Sequence, residues 1–338
     1  MGIKNVDSIV KAFTVMFGVA FIGSVVFFTM PRTQSSFLHF TQSGSDVFLD
    51  KYAGAQRTAE LKAGLGQATR GALEALGIKT HAGDEPRAYF AAHQHYGVVN
   101  PADRLVRRKL TGVPSSDFML LRNISLSMFA NELAADTISS RDGQYVFMTV
   151  DGDWRRAALH GYAHALAARN MPRAINDVLG SDARFDAETW YRFRFVDEAI
   201  ALFVTDAHKL LAEKGSLAAA LDAYPDATAA AYRDPSAPMY VREQIVRLTT
   251  FSEAPKTASL YVAANAFSSF LLRSLGQERS IAMAQTFLTG EYRDLDELFS
   301  FWGGFERAME AWKGDPAAPR SGVEALMQLG LAPAEQRS

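Results

Sequence analysis

The chain of 338 residues contains no cysteine. That excludes disulfides and every thiolate metal site, so a bound metal must be held by His, Asp or Glu. It does not fix the compartment, because a core of this size needs no covalent staple. An excess of either charge is lacking as well: 35 basic residues face 37 acidic ones, a net charge of −2. With no long basic run, nothing marks a nucleic-acid surface, and no nucleic-acid partner is expected. Formal charge is missing altogether from Ala12–Met30 (AFTVMFGVAFIGSVVFFTM), a run of 19 residues. As a helix it would span about 28 Å, close to the hydrocarbon core of a bilayer. A cleavable signal peptide has a shorter apolar region, about 7–15 residues, followed by small residues. Here Met30-Pro31-Arg32-Thr33 follows instead. The run therefore reads as an uncleaved single-pass anchor, with the lipid bilayer as its partner. Lys4 and Lys11 precede it and Arg32 follows. The positive-inside rule then places the N-terminus in the cytoplasm. The main domain is expected outside it, in the periplasm if the membrane is the inner membrane of a Gram-negative cell.

What is present is a histidine pair. His160-Gly161-Tyr162-Ala163-His164 lies within Asp153–Asn170 (DWRRAALHGYAHALAARN), which reads as a helix capped by Asp153. Residues four apart share one helix face, so the two imidazoles are stacked along it. This is the spacing of the H-E-x-x-H zinc motif, but Gly161 stands where that motif carries its general base. Two polar residues each satisfied by a local partner would explain the pair without a metal. A third donor is needed for a metal site with one open position. Trp190–Leu211 (WYRFRFVDEAIALFVTDAHKLL) reads as a helix in which Glu198 shares a face with Ala201, Leu202 and Thr205. A carboxylate on a packed face costs several kcal/mol unless paired or metal-bound. Asp197 is expected to project elsewhere, and Arg155 and Arg156 to lie on a solvated face.

The remaining elements are read more coarsely. Phe37–Thr41 and Tyr145–Val150 read as strands, and Tyr52–Leu76 as one long amphipathic helix whose Gly64, Gly66 and Gly71 weaken it. Thr80–Pro86 is expected to be a loop, Pro101–Pro114 a basic surface segment, Phe118–Ile124 a strand and Leu126–Ala135 a helix. His93 and His95 read as surface histidines. Pro316–Ser338 is Pro/Ala-rich with a short Leu-containing stretch, Gly322–Leu329, suited to a tail or docking segment.

These pieces together resemble the gluzincin, or peptidase MA-like, zinc metallopeptidases. In those proteins a second helix with a W-x-x-E-G-x-A-like segment supplies a third ligand. Phe195–Phe203 (FVDEAIALF) is similar to it, with Glu198 at the ligand position and Ala199 where Gly is usual. Between His164 and Glu198 lie 33 residues, so Asn170–Thr189 would be an insertion. Ser259–Gly276 is similar to the third helix of these families. Asp294–Trp312, ending in Glu310-Ala311-Trp312, is similar to their closing segment. The resemblance covers Tyr145–Lys313 and extends only loosely to Ser36–Ala135. It implies zinc held by His160, His164 and Glu198, and a hydrogen bond from Tyr261 to a transition state.

The expected architecture is therefore mainly α with a small β part (α+β). It comprises a tail and transmembrane anchor over residues 1–35, an α/β part over 36–150, a helical zincin-like part over 151–315 and a tail over 316–338. The missing base points to a degenerate, catalytically impaired member, an accessory or structural subunit of a membrane complex with other subunits or a peptide as partners. An active zinc metallopeptidase that recruits another base is the alternative.

Overall fold

In the computed structural model, the residues described are 40–42, 47–50, 55–81, 83–92, 135–140, 143–150, 153–175, 187–233 and 254–315. The elements in chain order are β1 (Phe40–Gln42), β2 (Val47–Asp50), α1 (Ala55–Ala68), α2 (Arg70–Ala75), β3 (Ala88–Ala92), β4 (Ala135–Ser140), β5 (Gly143–Thr149), α3 (Trp154–Arg169), α4 (Ala187–Lys214), α5 (Leu217–Arg233), α6 (Ala254–Leu275), α7 (Gln277–Thr289), α8 (Leu295–Leu298) and α9 (Phe305–Lys313), with a 3-10 turn at Ser300–Trp302. The described residues are thus mainly helical with a small sheet. Among them no helix is long and apolar enough to cross a membrane. The expected anchor Ala12–Met30 lies outside the described residues, as do His93, His95, Pro101–Pro114, Phe118–Ile124 and residues 316–338.

The sheet runs in the order β1-β2-β3-β5-β4. Strands β2, β3 and β5 are parallel, while β1 and β4 pair antiparallel at the two edges. Side chains alternate across a strand, so each register aligns one row on each face. Phe48, Phe90 and Phe147 stack in one row, with centroids 5.0 Å and 4.7 Å apart. Leu49, Tyr89, Ala91, Val146 and Met148 form the other face, which packs on Leu61 and Leu65 of α1 and on Trp154, Ala157, Ala158 and Ala165 of α3. Apolar residues on both faces are what parallel strands require. The opposite side of α3 faces a second core with α4, α6 and α7, in which Phe195, Phe267 and Trp312 cluster. Helix α3 is therefore sandwiched between sheet and helices, and its Ala-rich sequence lets both sides approach.

Two expectations need correction. The single helix over Tyr52–Leu76 is two helices, because the Thr69 hydroxyl donates to the Leu65 carbonyl at 2.8 Å and the backbone leaves helical geometry there. A threonine bonding four residues back bends a helix, and the nearby glycines offer little resistance. Asp294–Trp312 folds as three short pieces: Gly303 and Gly304 have φ of 85° and 124°, and Asp296 accepts from the Phe305 amide at 2.8 Å. Ala135, expected at a helix end, begins strand β4 instead, because it pairs with Met148.

Candidate metal centre

The Asp153 carboxylate accepts from the Arg156 amide at 3.1 Å and starts α3 as expected of an N-cap. About two and three turns further on, His160 and His164 face α4. Their rings are perpendicular with centroids 4.6 Å apart. Glu198 reaches them from α4 and is fully buried. The Nε2 atoms of the two histidines are 3.0 Å apart. His160 Nε2 is 3.2 Å from Glu198 Oε1, and His164 Nε2 is 3.3 Å from Glu198 Oε2. Tetrahedral zinc with ligands at 2.0–2.2 Å has donor–donor edges of about 3.3 Å. The three residues bring their donor atoms round one point at about this spacing, His160 against Oε1 and His164 against Oε2 of Glu198. His160, His164 and Glu198 could therefore hold a metal ion.

The chemistry of the donors agrees with the geometry. Among the described residues neither Glu198 oxygen receives an aligned hydrogen bond, although the carboxylate is wholly out of water. A buried carboxylate is costly unless it is paired, and protonated imidazoles or a metal cation can supply the pairing. Burial works against ionisation of Glu198, but the His160 and His164 rings outweigh it and hold the carboxyl well below its usual range. Burial likewise disfavours the His164 imidazolium, yet Asp197 and Glu198 prevail and push it up to about 9. The pocket thus demands positive charge at one point, supplied by a proton or by a metal. Of the three donors only His160 keeps appreciable exposure, with 20% of its side chain accessible against 6% and 0% for His164 and Glu198. An exogenous ligand would enter on the His160 side.

Asp197 does not project elsewhere as expected. Its Oδ1 lies 2.8 Å from His164 Nδ1, and its Oδ2 receives a hydrogen bond from Arg194 Nη1 at 2.9 Å. The two atoms are within hydrogen-bonding distance, although the Nδ1–H is not aligned on Oδ1. Arg194 Nη2 is also 4.0 Å from Glu198 Oε2, and one cation thereby sits against two adjacent carboxylates. The buried Tyr292 hydroxyl lies in the field of Asp197. Burial first and that charge second push it well above the ordinary tyrosine range. The sequence signal for Arg194 was its position three residues before Asp197, a spacing that pairs charges on a helix. Arg156 is likewise not simply solvated, since its guanidinium bonds Asp206 of α4 at 2.8 Å. Arg155 lies over the Trp154 ring at 4.6 Å. Tyr261 falls on α6, but its side chain lies outside the described residues.

Gly161 faces the sheet. A Cβ built there would lie 2.6 Å from Val146 Cγ1 of β5, and Thr137 of β4 donates to the Gly161 carbonyl at 3.0 Å. The position where a hydrolytic motif carries its base is thus filled by sheet side chains. Neither protein-family models nor curated proteins nor solved structures yield a match to this chain.

Proposed function

We propose that this protein is a zinc-binding, non-hydrolytic zincin-like protein, anchored to a membrane by Ala12–Met30 and acting by binding, as an accessory or structural subunit of a membrane complex. The donor set supports zinc, since two imidazoles and one carboxylate without any thiolate suit it. When bound, zinc would supply a Lewis acid at a position open beside His160. The protein's own residues then do three things. His160, His164 and Glu198 hold the ion, Asp197 and Arg194 steady His164, and the sheet closes the third side.

The observation that carries the non-hydrolytic reading is the contact between Gly161 and Val146. Cleaving a peptide needs a group that takes a proton from water and passes it to the leaving amine. Residue 161 has no side chain to do so, and Val146 Cγ1 stands where one would begin. Metal analysis together with a peptidase assay tests the reading. The expected result is about one zinc per chain, lost in both His160→Ala and His164→Ala, with no turnover of peptide substrates. Zinc-dependent turnover above a metal-only background would favour an active metallopeptidase using another base.

A further inference from the structure

We infer that Asp197, held by Arg194, is the positioning residue that makes Nε2 of His164 the metal-facing nitrogen, an inference that rests on the metal-binding reading above. A neutral imidazole carries one proton and one lone pair, and only the lone pair can ligate. Which nitrogen is free depends on what the other one meets. At His164 both nitrogens face a carboxylate oxygen, and the one beside Nδ1 is the nearer. Nε2 faces His160 Nε2 at 3.0 Å and Glu198 Oε2 at 3.3 Å, while Nδ1 faces Asp197 Oδ1 at 2.8 Å. A carboxylate beside Nδ1 draws the proton there and leaves Nε2 to the metal.

Asp197 can serve this role because it is itself pinned. Its second oxygen accepts from Arg194 one turn back on the same helix, and both its neighbours in the contact are buried or half-buried. Arg194 also faces Glu198, so it offsets the repulsion between two carboxylates that are adjacent in sequence and both buried. Without that cation the pair Asp197-Glu198 would repel in a dry site. The consequence is an asymmetric centre. His164 is locked from behind and almost inaccessible, and His160 sits at the accessible edge.

The test compares two ion pairs that join α3 to α4. Asp206 pairs with Arg156 across the same two helices but touches no metal donor. Zinc dissociation constants would be measured by competition with a chromophoric chelator for the wild type, Asp197→Asn and Asp206→Asn. The outer-carboxylate role predicts a loss of about 10–100-fold in zinc affinity for Asp197→Asn. It also predicts an altered visible spectrum of the cobalt-loaded protein. Asp206→Asn is expected to stay within about twofold of the wild type, since half-exposed pairs contribute little and a general loosening of the helices would move both variants together. Equal effects in the two variants, or an unchanged constant in Asp197→Asn, would overturn the inference while leaving metal binding intact. A wild type that binds neither zinc nor cobalt would overturn the metal reading, and this inference with it. Should Asp197→Asn fail to fold, the zinc-loaded wild type decides alone through its ring-nitrogen NMR. A slowly exchanging Nδ1–H on His164 is expected, and a proton on Nε2 contradicts the assignment.

Discussion

At position 161 two opposing effects meet. Glycine inside a helix costs about 1 kcal/mol relative to alanine, so replacing it gains that much from propensity. The new methyl would stand 2.6 Å from Val146 Cγ1, and overpacking of this kind costs about 1–3 kcal/mol. Packing outweighs propensity, and Gly161→Ala is expected to destabilise the protein by up to about 2 kcal/mol. In the Val146→Ala background the same change is expected to be neutral or stabilising. Urea unfolding of the four proteins in a double-mutant cycle measures the coupling, and additive effects would refute the contact. Gly161→Glu is accordingly not a clean restoration of a base. It is expected to unfold the protein or push α3 off the sheet before it yields proteolysis, as circular dichroism and a peptidase assay on the same sample would show. None of this was legible in the chain, because Val146 is fifteen residues before Gly161 and no local pattern links them. The glycine was visible as a missing base, but the reason it must stay small was not.

The elements that carry the donors were legible, because each is long and has a clear cap or period. Helix α3 begins at its Asp153 cap and α4 contains the whole expected stretch, which is why His160, His164 and Glu198 could be selected together. The adjacent Asp197 was misjudged on a geometric shortcut. One residue is about 100° around a helix, yet His164 is long enough to touch both Glu198 and Asp197 with its two nitrogens. Strand β4 was missed because Ala135–Ser140 (ADTISS) is short and polar, as an edge strand is allowed to be. A further constraint appears where helices end. Gly290 adopts φ of 71° at the end of α7, and a Cβ there would lie 2.1 Å from the Asn170 carbonyl that follows α3. Asn170 also donates to the Leu288 carbonyl at 2.8 Å. Gly290→Ala thus combines positive φ with a backbone clash. It is expected to cost about 2–4 kcal/mol, more than Gly161→Ala, because backbone cannot rotate away as a valine methyl can. Chemical denaturation of both variants tests the order, and a smaller loss at Gly290 would show that the two helix ends are not locked.

At the scale of the whole molecule, the metal and the fold are linked. His164, Asp197 and Glu198 are buried between α3 and α4, and α3 is also the helix that covers the sheet. A ligand that binds only the folded chain stabilises it by about 4 kcal/mol at a thousandfold excess over its dissociation constant. In a protein of this size that raises the melting temperature by roughly 5–15 °C. Removing the metal with a chelator is expected to lower the melting temperature by that amount, and adding back zinc to restore it. The expected size has a clear control. His160→Ala and His164→Ala lack the site, so their melting temperatures are not expected to respond to chelator or to zinc. The metal-free wild type should nonetheless melt cooperatively, because the aromatic cluster of Phe195, Phe267 and Trp312 and the sheet contacts of Trp154 involve no donor. A wild type whose melting ignores the chelator, while bound zinc is shown to leave, would mean that the centre contributes nothing to the fold and that α3 is held by its packing alone.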